Sequence, residues 1–177
     1  SKPAEMVVDE IRNSGGDALA VKVDCSDDGE VGLLGIHPWM HRGIEALVLN
    51  HGTYDRVPAQ EMEMEHLRHT MKANFEGAVN VWKVAQPHLS PQANMVVVSS
   101  QLATRGSPHG ADYAASKAAL STWARSLALA VGPEGKRVNV LAPGYVDTDI
   151  LAGDSDEKRN QRIQEVPLKR IGTGEDM

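Results

Sequence analysis

Four short apolar runs, each followed at once by a polar or glycine-bearing turn, constrain this chain more than any other feature. They are Ala18–Val23 ahead of Asp24, Ile44–Leu49 ahead of Asn50-His51-Gly52, Met95–Val98 ahead of Ser99-Ser100, and Val138–Leu141 ahead of Ala142-Pro143-Gly144. None shows the polar alternation of a strand with one wet face. Such runs suit strands buried on both faces, which occur in parallel sheets. Between them lie stretches with helical spacing. Residues 5–11 carry Met6, Val7 and Ile11, with Gly15-Gly16 as a stop, and residues 61–87 carry Leu67, Met71, Phe75, Ala78 and Trp82. Ala111–Val131 is alanine-rich and strongly helix-forming. The segment Ser26–Gly43 holds a helical place in this order, yet Gly29, Gly32, Gly35 and Pro38 oppose one. Residues 147–177 read as a polar, mobile loop with a helix inside it. Strand and helix alternate throughout, so the fold class is α/β with a parallel sheet.

In such sheets ligands bind beyond the carboxyl ends of the strands, at the turns named above. One of these turns leads to a chemically loaded pair. Tyr113-Ala-Ala-Ser-Lys117 places a phenol and an ammonium four residues apart, on one helix face. A nearby ammonium favours the phenolate and is expected to lower the Tyr113 pKa toward the range useful for acid–base catalysis. The Ser99-Ser100 pair supplies a hydroxyl that can polarise a carbonyl at the same point.

Composition removes several classes. The 177 residues make one domain of ordinary globular composition, and the net charge of −6 gives no reason to expect nucleic acid or an anionic membrane as partner. No apolar run approaches a membrane span. A single cysteine, Cys25, rules out an internal disulfide and points to a reducing, cytoplasmic setting. His37/His41 and His66/His69 have ligand-like spacings but lack the further ligands of a metal site, so they read as surface histidines and no metal is expected. Asp154-Ser-Asp-Glu-Lys-Arg159 reads as a solvated helix start.

Val96-Val-Val-Ser-Ser100, Tyr113-Ala-Ala-Ser-Lys117 and Asn139-Val-Leu-Ala-Pro-Gly-Tyr-Val-Asp-Thr148, taken together, resemble the short-chain dehydrogenase/reductase family across essentially the whole chain. The resemblance implies a doubly wound, Rossmann-type parallel sheet and hydride transfer between NAD or NADP and a secondary alcohol or ketone. It implies a catalytic set of Asn74, Ser100, Tyr113 and Lys117. Tyr113 would exchange a proton with the substrate oxygen, and Lys117 would tune it and bind the nicotinamide ribose. Ser100 would hold the carbonyl, and Asn74 would position a water in the proton relay. For the cofactor it implies Asp24, with Cys25 beside it, at the adenine, and Asn50 and Gly52 in the family's Asn-Ala-Gly turn, where His51 departs from the pattern. Pro143, Gly144, Val146 and Thr148 would face the nicotinamide and pyrophosphate, together with Tyr113 and Lys117. It also implies a small-molecule substrate and a homo-oligomer, dimer or tetramer, built through the helices carrying Asn74 and Tyr113.

The family's glycine-rich phosphate turn, Thr-Gly-x-x-x-Gly-x-Gly, does not occur in these residues. Residues 1–177 are therefore expected to be one Rossmann-type domain truncated at both ends, without its first strand–helix–strand and last helix–strand. Such a piece would fold poorly or with distortion, because the Ala18–Val23 strand would lack its neighbours. A non-catalytic member of the same fold without cofactor affinity stays open as an alternative. The polar loop Thr104–Gly110 mildly favours a small polar substrate or a 3-oxoacyl thioester over a steroid.

Overall fold

A computed structural model describes residues 2–177. Three parallel strands form the sheet, β1 (Ile44–Leu49), β2 (Leu89–Val98) and β3 (Arg137–Leu141), in spatial order β1-β2-β3. The ladders run Leu47↔Met95 to Leu49↔Val97, and Met95↔Val138 to Val98↔Leu141. β1 reaches β2 through α3 (Met64–Met71), a π-helical turn (Lys72–Glu76) and α4 (Gly77–Ala85). After the short α5 (Leu102–Arg105), β2 reaches β3 through α6 (Ala111–Val131).

The apolar residues of the helices decide which sheet face they cover. Ala78 and Trp82 of α4 and Leu120 and Ala124 of α6 join Leu49, Met95 and Val97 in one buried cluster. Because side chains alternate along a strand, Val48, Val96 and Val98 point to the opposite face. Val48 is exposed there, and Val96 and Val98 are half-buried. The expectation that Met95–Val98 is buried on both faces is thus corrected. Among the described residues the helices cover one face, and the other forms part of a cavity wall.

The first forty residues differ more from expectation. α1 (Lys2–Asn13) forms, and α2 (Asp28–Gly35) forms despite its glycines. Its N-terminus explains this. The Asp27 carboxylate accepts the Glu30 N–H at 2.9 Å, Glu30 accepts the Asp24 N–H at 2.8 Å, and Asp28 and Glu30 put negative charge on the first turn. Val31 then buries completely, and α2 lies against α4. Pro38–Arg42 makes a short 3-10 turn. Residues 18–23, by contrast, form no strand, which corrects the sequence reading. A strand is stable only when a neighbour takes up its N–H and C=O groups, and β1 pairs with β2 alone. What holds the segment's start is a hydrogen bond from Arg12 Nη2 to the Ala18 carbonyl, 2.8 Å.

Beyond β3 the chain passes through a 3-10 turn into α7 (Asp156–Glu165), whose N-cap Ser155 accepts the Lys158 N–H. It then returns to lie beside Val146 through a parallel bridge to Gly172. No described helix is long and apolar enough to cross a membrane.

Candidate active site

The carboxyl ends of all three strands open into one cavity of about 830 Å³. Asn50, Gly52, Ser100, Tyr113, Lys117, Pro143, Gly144, Val146 and Thr148 all line it. Asp24 does not line it. It is exposed at the turn into α2, where its carboxylate accepts the Ser26 N–H. Cys25 does not line the cavity either, but lies near the lining residue His51. A Cβ built on Gly77 would meet both the Cys25 Cβ (3.2 Å) and the ring nitrogen of the lining residue His51 (3.0 Å). Hydrogen bonds to the side chain and backbone of Ser26 hold the Asp24 carboxyl below its usual range. Burial, with a smaller contribution from Asp24, pushes the Cys25 thiol up.

Helix α6 delivers Tyr113 and Lys117 on one face one turn apart, as their spacing predicts. Lys117 is buried at 4% exposure, and its ammonium donates to the Val98 carbonyl at 2.9 Å, the last residue of β2. Its nitrogen lies 5.7 Å from the Tyr113 ring centre. The expected electrostatics is corrected. Tyr113 is raised, not lowered: burial dominates, and a hydrogen bond with Ser100 opposes it only in part. Burial also pushes Lys117 down to about 8. Desolvation penalises the charged form of both groups and shifts each toward its neutral state.

The two serines divide their work. Ser99 Oγ donates to the Lys117 carbonyl (2.9 Å) and lies 2.7 Å from Ser121 Oγ, which fastens the end of β2 to α6. Ser100 faces the cavity, and its hydroxyl accepts the Leu102 N–H at 3.2 Å. Asn74 sits fully buried within the π-helical turn, a distortion often found at functional sites. Its amide accepts the Thr53 N–H (2.7 Å) and donates to the Thr53 carbonyl and to Ser116 Oγ, both at 3.0 Å. Both amide hydrogens are therefore used to pin the loop after β1 to α6. Gly52 is required by this packing, since a Cβ there would stand 2.9 Å from Asn74 Oδ1.

Tyr54, missed in the sequence, and His51, noted there only as a departure from the family turn, complete the lining. Tyr54 lies against Tyr113 with ring centres 4.6 Å apart, and its hydroxyl donates to the His109 carbonyl at 2.8 Å. Gly110 makes room for it, because a Cβ at that position would fall 2.4 Å from the Tyr54 ring. The half-buried His51 has its Nε2 without a partner among the described residues, and burial and then the Lys117 charge lower its pKa. Asp154 was read as part of a solvated helix start. Its side chain is instead 1% exposed, held between Arg56 and Arg162. The only available signal for Tyr54 was its place two residues beyond a strand-end glycine. For Asp154 there was none, since its Arg56 partner is 98 residues away.

A protein-family model described as enoyl-(acyl carrier protein) reductase matches residues 1–177. The chain is 36% identical over 175 residues to the hydroxynaphthalene reductase-like protein Arp2 of Metarhizium anisopliae, covering 98% of this chain and 66% of that protein. It is 34% identical over 136 residues to the 3-oxoacyl-[acyl-carrier-protein] reductase FabG of Chlamydia muridarum, covering 76% of this chain and 55% of that one. A Beutenbergia cavernae structure with bound NADP at low occupancy superposes with a TM-score of 0.92 at 31% identity, across 100% of this chain and 73% of that one. The chain thus spans between about half and three-quarters of the length of these proteins.

Proposed function

The chain belongs to the short-chain dehydrogenase/reductase family, and from that premise we propose that its site interconverts a ketone and a secondary alcohol with NAD or NADP as partner. The observation that carries this reading is the convergence of Ser100, Tyr113 and Lys117 on one cavity at the strand ends. The residues present fit the nicotinamide half of such a cofactor. Lys117 is a buried donor for a ribose hydroxyl, Pro143, Gly144 and Val146 form a mostly apolar wall, and Thr148 adds a hydroxyl for an amide or phosphate oxygen. Asn50 and Gly52 line the same cavity, while Asp24 and Cys25 lie outside its lining and are assigned to the adenine by the family resemblance alone. When bound, the nicotinamide supplies or accepts the hydride. Ser100 holds the substrate oxygen, and Tyr113 exchanges a proton with it through its phenolic oxygen. Burial keeps the phenol protonated, the form that reduction of a ketone requires, but also makes it a weaker acid. Asn74 fixes the loop after β1 against α6, both of its amide hydrogens being engaged there.

Substrates in keeping with the polar Thr104–Gly110 loop are small keto compounds or 3-oxoacyl thioesters, the class named for the Chlamydia relative. The protein would act as a homo-oligomer through α3–α4 and α6. The test is a fluorescence titration with NADH and NADPH, followed by cofactor oxidation with a ketone panel. Saturable binding and a loss of about 10²–10⁴ in kcat for Tyr113→Phe support the reading. Absence of binding by the folded protein favours a non-catalytic member of the family.

A further inference from the structure

The charge around the cavity is opposite in sign to the charge of the chain. The whole chain carries −6, yet Arg56, Arg105, Lys158 and Arg162 line the cavity, of which Arg105 is paired with the lining carboxylate Glu165 at 3.1 Å. Two of these cations share a single counterion. Arg56 Nη1 meets Asp154 Oδ1 at 2.5 Å, and Arg162 Nε meets Oδ2 at 2.5 Å, with its Nη2 at 3.3 Å from Oδ1. The Arg56 and Arg162 side chains are 27% and 14% exposed, and Asp154 is 1% exposed. Two guanidinium groups on one carboxylate leave one positive charge in a half-buried wall, where screening by water is weak. Their ten N–H groups also exceed what one carboxylate and the Ile150 carbonyl, which accepts from Arg56 at 2.7 Å, can use.

This surplus lies close to the proposed chemistry. The Arg56 guanidinium carbon is 5.8 Å from the centre of the Tyr54 ring, and that ring rests on Tyr113. A molecule whose carbonyl meets Ser100 and Tyr113 can therefore extend along Tyr54 and bring a second group to Arg56 and Arg162. A guanidinium matches a carboxylate in shape, through two parallel N–H bonds, and one surplus charge matches a monoanion. We propose that the substrate carries a carboxylate, an oxo acid or the corresponding hydroxy acid, and that Arg56 and Arg162 bind it and set the specificity. This rests on the oxidoreductase reading for the reacting end of the molecule. It narrows that reading away from neutral ketones.

The experiment compares levulinate with its methyl ester, two compounds with the same ketone that differ in the charge. Calorimetric binding and cofactor-linked turnover are both measured on the purified protein. The acid is expected to exceed the ester by roughly tenfold in affinity and in kcat/KM, the effect of about one charge-assisted contact. The ratio is expected to fall toward one in Arg56→Gln and to shrink as salt is raised. In Asp154→Asn, which keeps both arginines and removes their shared counterion, it should rise, and this variant decides the matter where Arg56→Gln does not fold. An acid that binds no better than the ester, or a ratio that drops in Asp154→Asn, overturns the proposal. Selective binding of the acid without turnover of either compound upholds it and counts against the oxidoreductase reading alone.

Discussion

Residues 2–43 and residues 44–141 are similar in apolar content along much of their length, yet they end up very differently. Among the described residues of the first region only Ala18 and Val31 are buried and apolar, while Met6, Val7, Leu19, Leu33 and Ile36 are exposed. In the second, Leu49, Met95, Val97 and Leu120 are almost completely inaccessible to water and share one cluster. Helices form in both, since capping and spacing act locally. Burial needs a second surface, and the hydrogen-bonded sheet supplies it only from Ile44 onward. The catalytic candidates follow the same division: Asn74, Ser100, Tyr113 and Lys117 all stand on the buried framework.

The sharpest way to break this comparison is to cut the framework itself. Leu120→Ala empties a site 1% exposed between α6 and the sheet, and should cost about 2–5 kcal/mol by denaturant unfolding. A loss under 1 kcal/mol would mean the cluster is loosely packed. Lys117→Met probes the cost of burying a charge. The folded pKa of about 8 lies below the lysine reference value of 10.5, so the unfolded chain holds the proton more tightly. The penalty is then fully present below pH 8 and is relieved as pH rises toward 10.5. Lys117→Met should be more stable than wild type by up to about 3 kcal/mol at pH 7, with the gap closing between pH 8 and 10.5. A gap independent of pH would contradict this.

A smaller effect is expected at Thr70, whose hydroxyl donates to Asp112 Oδ2 at 2.6 Å in a fully buried contact beside Tyr113. Asp112 Oδ1 has no partner among the described residues. Thr70→Val would strip the carboxylate of its remaining side-chain contact and should cost about 1–3 kcal/mol in thermal or denaturant unfolding, while Thr70→Ser should recover most of it. The smallest change belongs to the other region. Met6→Ser, at a site 71% exposed, should shift stability by less than about 0.5 kcal/mol. A larger, concentration-dependent loss would show that α1 is covered by another surface in solution.

Much of the framework was legible in the sequence because its signals are short-range. Ala111–Val131 was predicted with the boundaries observed, and β1 likewise. The helix read over residues 61–87 runs from Met64 to Ala85, with a π-helical turn around Asn74 and a 3-10 turn after its end. Residues 18–23 form no strand because their β propensity finds no partner strand among the described residues. The run Met95–Val98 misled because apolar composition does not report which face is covered.

What the sequence by itself determined is the set of groups whose relation is local. An i,i+4 spacing puts Tyr113 and Lys117 on one helix face, and a strand followed by two serines puts Ser100 at the strand end. Tertiary structure alone decided what lies far apart in the chain: Tyr54 against Tyr113, Asn74 bonded to Thr53 and Ser116, and Asp154 between Arg56 and Arg162. It also decided the direction of the Tyr113 and Lys117 shifts. Spacing identifies which charges are neighbours, but desolvation depends on everything packed around them, and here desolvation is the larger effect.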